Sequence, residues 1–313
     1  MRKFLVALFA LSILSAGAMT AAPCLAAGGD VRSGVLTYLG TTEEAFQQGL
    51  DDLRKALSPL FPSDEELTEE EMDETDVLMG FLRAMVKERR VFRFYDALLA
   101  MQMDLRAGRL DEAILPESVG LYLINRNPRY EIKFSLNMLP SSISFGFRKG
   151  DAALQKEFNA AIAAMKKDGT LARLEKQYVS DLGLDEPAPV KFHDFKDAPT
   201  LKVAVTGDMP PIDLIAADGR PAGYNTAVMA EIGRRLKRNV QLVSVDAGGR
   251  SAALVSQRAD VVFWYRSTEG IATPKRLKDN PTKGVMRDAA EGVLLSDPYY
   301  EWDTDLVIGQ AQD

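Results

Sequence analysis

The most constraining stretch of this 313-residue chain runs from Leu201 to Asp246, with ADVVFWY at Ala259 to Tyr265 just beyond it. Val203 and Val205 alternate with polar neighbours before a loop rich in glycine and proline, the period-two pattern of a strand. Val228, Ile232 and Leu236 recur at i, i+4 and i+8 behind Asn225, a residue type suited to capping a helix N-terminus. With strands on both sides of that helix the stretch reads βαβαβ, and a chain built on such units is expected to be α/β.

Composition narrows the function. With 46% apolar and 27% charged residues the chain can bury a sizeable core in one or two domains. Its net charge of -7 and pI near 5.1 argue against a nucleic-acid or anionic-membrane surface, since both need a basic patch. His193 is the only histidine and Cys24 the only cysteine, so zinc clusters, Cys-His nucleophiles and histidine-based triads are excluded by count. No cofactor is expected, and His193 reads as a plain surface residue.

At the N-terminus Arg2 and Lys3 precede the apolar run FLVALFALSIL, and TAAPCLAAGG follows. This is the pattern of a signal peptide over residues 1 to 27, cleaved near Ala26 or Ala27. Pro23 before Cys24 does not fit a lipid-anchor signal, and no later run is apolar enough to span a bilayer. A periplasmic protein without an anchor is expected.

From Ser33, GVLTYLG predicts a short strand. Thr41 and Glu44 then form a capping box before the apolar face of Phe46, Leu50, Leu53 and Leu57. Residues 58 to 90 read as a helical insertion: Thr68 and Glu71 cap it, Leu78, Leu82, Met85 and Val86 share a face, and Arg83, Lys87, Arg89 and Arg90 stand toward its C-terminal end. Its charged residues suit a solvated face, with a partner-docking surface as the alternative. Leu98, Met101 and Leu105 supply another helical stripe ended by Gly108. Leu154, Phe158, Ile162 and Met165 supply a third, between Asp151 as cap and Gly169 as terminator. Asp181 to Thr200, with three prolines and no period, reads as a linker.

The wording carries more than the periodicity. VAVTGDMPPIDLIAADGRPAGYN resembles the opening lobe of the periplasmic solute-binding proteins of the amino-acid-binding type, bacterial extracellular solute-binding protein family 3. The GTT turn at Gly40 to Thr42 and FYDALLAMQMDLRAGRLDEAILPESVGLYLI resemble that family's second lobe. Ser267, Thr273, Pro274, Arg276 and the run Ser296 to Tyr300 echo its S, T-P-E-R and S-D-P-Y-Y motifs, at altered spacing. The resemblance implies an α/β fold of two Rossmann-like lobes joined by a hinge, type II periplasmic binding protein-like, with the two halves in circularly permuted order. Residues 31 to 139 would form lobe two with the insertion 58 to 90. Residues 141 to 296 would form lobe one, including the linker 181 to 200, and 297 to 313 would cross the hinge and return a strand to lobe two. That strand, near Leu306 to Gly309, is expected beside the N-terminal one. A monomer is expected, with a strand-swapped dimer as the alternative.

The implied function is capture of a small anionic or amino-acid-like solute between the lobes, for an inner-membrane ABC permease in amino acid transport. No chemistry is required. By the resemblance Gly40, Thr41 and Thr42 would hold a ligand carboxylate at a helix N-terminus, where free N-H donors and the macrodipole favour anions. Simple capping by Thr41 is the plainer reading. The family's amino-group aspartate falls on Pro116, and Glu117 behind it either reaches the cleft or stays an exposed helix-terminal acid. The stacking aromatics fall on Met209, on Ile212 and near Ala247, while Trp264 and Tyr265 either line the cleft or close a buried strand end. Arg276 matches the carboxylate-gripping arginine and Arg266 competes with it, with Ser267 nearby. Two other readings remain: a dehydratase-like enzyme with Glu117 as general acid, and a sensor or accessory protein that binds a partner through the insertion.

Overall fold

The computed structural model describes residues 30–36, 51, 55, 58, 90–216, 218–246, 249–266 and 292–311. The expected signal peptide, most of the helix after Thr41, residues 59–89 of the insertion and residues 267–291 lie outside them. Among the described residues no helix is long and apolar enough to cross a membrane.

The first half of the chain supplies β1 (Val31–Leu36), β2 (Arg90–Tyr95), α1 (Leu98–Arg106), β3 (Glu112–Pro116) and α2 (Glu117–Arg126). β1 lies parallel to both β2 and β3. Parallel neighbours cannot be joined by a tight turn, so α1 carries the chain from β2 across to β3. The stripe read from the sequence is what buries α1: Leu98, Met101 and Leu105 are all in the core. The helix then ends as its residues dictate, with Gly108 at φ 67, a conformation that glycine adopts without a Cβ penalty.

The 19-residue strand β4 (Tyr130–Arg148) follows, then α3 (Ala152–Lys167), α4 (Thr170–Glu175) and a π-helical turn, Lys176–Ser180. Phe158, Ala161, Ile162 and Met165 turn α3 to the core. The second half supplies β5 (Thr200–Val205), β6 (Asp208–Met209), β7 (Asp213–Ile215), β8 (Pro221–Ala222), α5 (Tyr224–Leu236), β9 (Asn239–Ser244) and α6 (Arg250–Val255). β10 (Val261–Arg266), β11 (Val293–Leu295) and β12 (Tyr300–Gln310) complete it. β5 lies parallel to β9 and β10, which is the βαβαβ unit read at the outset. β6, β7 and β8 form a separate small antiparallel sheet.

One nine-stranded sheet joins everything else, in the order β2-β1-β3-β12-β4-β10-β5-β9, with β11 also on β4. Two long strands make it continuous. β4 pairs through Tyr130 to Asn137 with the second part of β12, and through Ser142 to Arg148 with β10 and β11. β12 pairs through Tyr300 to Trp302 with Ser141 to Ile143. It then shifts register between Trp302 and Thr304 before running antiparallel to β3 and β4. The chain therefore crosses twice between the β2-β1-β3 end and the β10-β5-β9 end. The strand expected to return near Leu306 to Gly309 is present. It does not lie beside the N-terminal strand, however, because β3 stands between β1 and β12.

Two local expectations are also corrected. Asn225 does not cap α5: Gly223 holds that place, and Asn225 is the buried second residue of the helix, its Oδ1 accepting from the Tyr299 hydroxyl at 2.9 Å. Arg90 is not a surface residue at the end of an insertion helix. It begins β2 with its side chain fully buried, donating to the Ser33 hydroxyl at 2.8 Å and ion-paired with Glu112. An arginine this deep needs an acid beside it, and only the sheet brings one there.

An aromatic cluster fills the core beside the crossings. Phe145 stacks on Tyr299 at 4.4 Å and meets Phe158 edge-on at 5.1 Å, while Phe147 meets Phe158 edge-on at 4.9 Å. The echoed S-D-P-Y-Y run serves this packing. Ser296 Oγ accepts from the Phe145 N-H, and Tyr224 donates its hydroxyl to the Tyr299 carbonyl. The segment 181–199 has no helix or ladder strand but is pinned at both ends. Asn239 exchanges bonds with the Phe195 backbone at one end. At the other, Tyr122 and Arg126 of α2 hold Glu186. His193 stacks on Phe195 with centroids 5.6 Å apart.

Gly223 sets the angle between the small sheet and α5. Its φ of 90 and ψ of 171 form a combination essentially confined to glycine, and a Cβ there would meet the carbonyl oxygens of Pro211 and Ile212 at 2.7 and 2.9 Å. Those same carbonyls accept from the Tyr224 and Asn225 N-H groups. Gly223→Ala is expected to lower stability by about 2 to 3 kcal/mol, read as a reduced urea midpoint. An unchanged midpoint would show that the loop relaxes freely.

Candidate functional site

Ligands of open α/β sheets bind where strands end and helices begin, and both halves of this sheet present such ends. From one half come the turn after β2, with Asp96 ahead of α1, and the start of α2 after β3. From the other come the loop after β5, with Thr206, Asp208 and Asp213, and the start of α6, with Arg250. α1 packs directly against β6, so the loop after β5 reaches the opposite half.

The β6-β7 hairpin is acidic inside. Met209 pairs with Asp213 and Asp208 with Leu214. Asp213 is 1% exposed, and its Oδ2 accepts from the Thr206 N-H at 3.2 Å and the Thr206 hydroxyl at 3.0 Å. Burial pushes its carboxyl up, as does the Asp208 charge, while the bonds from Thr206 and Gly207 pull it down. Asp208 is partly buried and is also raised by burial, with Asp96 adding to the rise. The Thr206 hydroxyl and the positive charge of Arg250 oppose it. Arg250 is itself buried and donates to the Phe263 carbonyl of β10 at 3.2 Å. The side-chain oxygens Asp208 Oδ1 and Asp213 Oδ1 are both enclosed, with no hydrogen-bond partner among the described residues.

The residues singled out in the sequence fall at different places in the fold. Glu117 is the exposed first residue of α2, and its charge is felt by Tyr300, whose hydroxyl is bonded to Ser118. Met209 is 1% exposed and belongs to the hydrophobic core. Trp264, Tyr265 and Arg266 form the last part of β10, opposite Ser144, Ile143 and Ser142 of β4. Gly40, Thr41, Thr42, Ser267 and Arg276 lie outside the described residues. Sequence reasoning passed over Thr206, Asp208, Asp213 and Arg250. The available signal was the acid of Ile212-Asp213-Leu214, set between two apolar residues in a loop otherwise searched for aromatics. Among the described residues no three side chains could together hold a metal ion.

Comparison with known proteins decides the family. The family model of the bacterial extracellular solute-binding proteins, family 3, matches residues 34–181 and 201–276, most of the chain and both ends of the sheet. The chain belongs to this family. The α/β, type II periplasmic binding protein-like fold expected from the sequence holds. Family 3 is a substrate-binding family of extracellular proteins, so binding of a small molecule is its shared property.

No curated protein matches. Solved structures similar to this family 3 chain include the zinc-bound ligand-binding component of an ABC-type import system from Staphylococcus aureus. It is 8% identical at a TM-score of 0.41, with 90% of this chain and 66% of that one covered. The periplasmic aliphatic sulphonate binding protein SsuA from Escherichia coli is 10% identical at a TM-score of 0.37, covering 91% and 66%. A nutrient binding protein from Burkholderia cenocepacia bound to methionine is 12% identical at 0.33, covering 90% and 84%. The chain thus spans about two thirds of the length of the first two.

Proposed function

We propose that this protein captures a small solute in the space between its two halves and delivers it to an inner-membrane ABC permease. The observation that carries the reading is the double crossing. Among the described residues β4 and β12 alone run through both ends of a sheet whose two ends match one solute-binding family. Two strands side by side, with a register shift at Trp302/Thr304, form a natural hinge about which the halves can close. Charged side chains of the two halves come near one another, since α1 packs on β6 and the Asp96 charge ahead of α1 acts on Asp208.

In this reading the leader of residues 1 to 27 exports the chain to the periplasm, where it works as a monomer. Residues 31 to 139 form lobe two and 141 to 296 lobe one. The segment 297 to 313 closes lobe two, and the order of the lobes is circularly permuted relative to the resemblance. Joining the family's old termini by the segment 181 to 200 needs only a surface path, which the pinning to Asn239 and α2 supplies. The solute is anionic or amino-acid-like, as the resemblance implies.

A thermal-shift screen against small metabolites tests the capture. A ligand bound only by the folded chain raises stability by about 2.7 kcal/mol at a hundredfold excess over Kd. At least one amino-acid-like solute is expected to raise the unfolding midpoint in a saturable way. No saturable shift across the panel would remove solute capture as the function.

A further inference from the structure

We infer that the turn at residues 183–186 and the C-terminal part of α2 form a latch between the two halves: a strap from one half, gripped by a helix of the other, that favours the arrangement with the halves drawn together. The inference rests on the reading that the halves move about β4 and β12, and it names a contact that sets how readily they part.

The strap is rooted in the β10-β5-β9 half on both sides. Ahead of it the Asp181 N-H donates to the Lys176 carbonyl and closes the π-helical turn, and α4, which leads into that turn, packs on α5. Behind it Pro189 bridges to Ala222 of β8, and the Val190 N-H donates to the Pro221 carbonyl at 2.9 Å. Between these roots the chain turns at Gly183, with φ 56, and meets α2, which packs on β3 of the other half. The contact is therefore made by residues outside the two crossing strands.

One arginine grips the strap. Arg126 Nη1 donates to the Gly183 carbonyl at 3.2 Å, Nη2 to the Asp185 carbonyl, and Nε to Glu186 Oε1 at 3.2 Å. Its guanidinium lies over the Tyr122 ring, 3.8 Å from the centroid, and the Tyr122 hydroxyl donates to Glu186 Oε2 at 2.5 Å. Two side chains one helical turn apart thus hold a carboxylate and two backbone carbonyls of a single turn. An isolated surface ion pair would hold little, because water screens it and two long side chains must be fixed. Arg126 differs: its side chain is 17% exposed against 68% for Glu186, and the ring beneath it orients the planar fork toward the strap. The grip depends more on Arg126 than on the acid, since the carbonyl bonds need no charge on the strap. In the same structure α1 packs on β6, so the latch is fastened while the halves touch. A contact made in that arrangement and lost when the halves part shifts the balance toward it, and a captured solute adds to the shift.

The test measures the spacing of the halves in the full chain by pulsed electron spin resonance between two nitroxide labels, with no solute added. Leu99→Cys on α1 and Val255→Cys on α6 carry the labels, because these side chains are 63% and 79% exposed. Cys24→Ser removes the only other cysteine. Arg126→Ala and Glu186→Gln are made in this background, each with its urea midpoint recorded. Arg126→Ala is expected to lower the ratio of the shorter to the longer spacing by about tenfold, and Glu186→Gln to lower it by less. Spacings in both variants that match the parent would overturn the latch, and so would a shift toward the shorter spacing. Should Arg126→Ala fail to fold, Glu186→Gln decides alone, since its side chain stands in the exposed strap. These readings need no solute, so the latch can fall while the metabolite screen judges capture separately.

Discussion

Glu112→Gln is expected to destabilise the protein by about 3 to 5 kcal/mol, a larger loss than that from Gly223→Ala. Glu112 opens β3, where its Oε1 accepts from the Ser33 hydroxyl at 2.6 Å and pairs with Arg90, whose side chain is fully enclosed. Burial pulls the Arg90 guanidinium down to about 10, against a rise from the nearby Asp111 charge. At neutral pH it stays charged, so a neutral residue at 112 removes the negative charge that compensates it. Arg90 and Glu112 open β2 and β3 and Ser33 is the third residue of β1, away from the ends of these strands that lead into helices. The loss should therefore appear in a urea midpoint and not in solute affinity per folded molecule. Replacing both partners with apolar residues, Arg90→Met with Glu112→Leu, is expected to recover much of the loss, since no buried charge is then left behind. A double variant no better than Glu112→Gln would mean that the pair organises the strand starts beyond its charge balance.

The second large effect is a pH dependence at Asp305. This residue stands on β12 opposite Leu136 of β4 and Pro116 of β3, just past the register shift. Burial raises its carboxyl to about 6, in spite of the bond that its Oδ1 accepts from Trp302 Nε1 at 3.2 Å. In the unfolded chain the group titrates near about 3.9. Because the folded value is the higher one, the folded state binds more protons between about pH 4 and pH 6. Stability then falls as pH rises through that window and stays reduced above it. A difference of about two units corresponds to at most about 3 kcal/mol. Asp305→Asn should raise stability by up to that amount at pH 7.5 and leave it nearly unchanged at pH 4. Urea midpoints of parent and variant at both values check this. The difference between the two proteins isolates Asp305 from acids shifted the other way, such as Asp111 and Asp168. An equal gain at both pH values would assign the effect to packing.

The fold was legible where burial follows a period. The Leu98, Met101, Leu105 stripe and the Val228, Ile232 stripe are core faces of α1 and α5, and Val203 and Val205 are core positions of β5. The returning strand could be anticipated because the resemblance, with its halves in permuted order, implies a last strand that goes back to lobe two, and Leu306, Val307 and Ile308 are buried there. Its neighbour could not, since pairing order depends on which strands lie between, and β1, β3 and β12 carry no mark of adjacency.

The polar interior was hidden for a different reason. Pattern reading assigns a charge to solvent, so Arg90 joined the charge run of the insertion and Asp213 joined the loop. Only the sheet reveals the partners, Glu112 and Thr206, that make their burial tolerable. Asn225 misled in a related way. Its residue type suits a helix cap, but the positive φ that the chain needs at that junction belongs to Gly223, and the amide is used inside by Tyr299. Of the residues expected to touch a ligand, Glu117 is on the exposed start of α2 and Met209 is inside the core. The buried acid Asp213 stands in a loop that the sequence offers for its aromatic positions.

The most direct test of a single chain that closes about β4 and β12 is X-ray scattering on the purified protein, with and without a solute found by thermal shift. One-chain mass in both conditions is expected, together with a smaller radius of gyration at saturation as the two halves draw together. A dimer whose β12 strands are exchanged between copies, or a radius unchanged at full occupancy, would contradict solute capture by hinge closure within one chain.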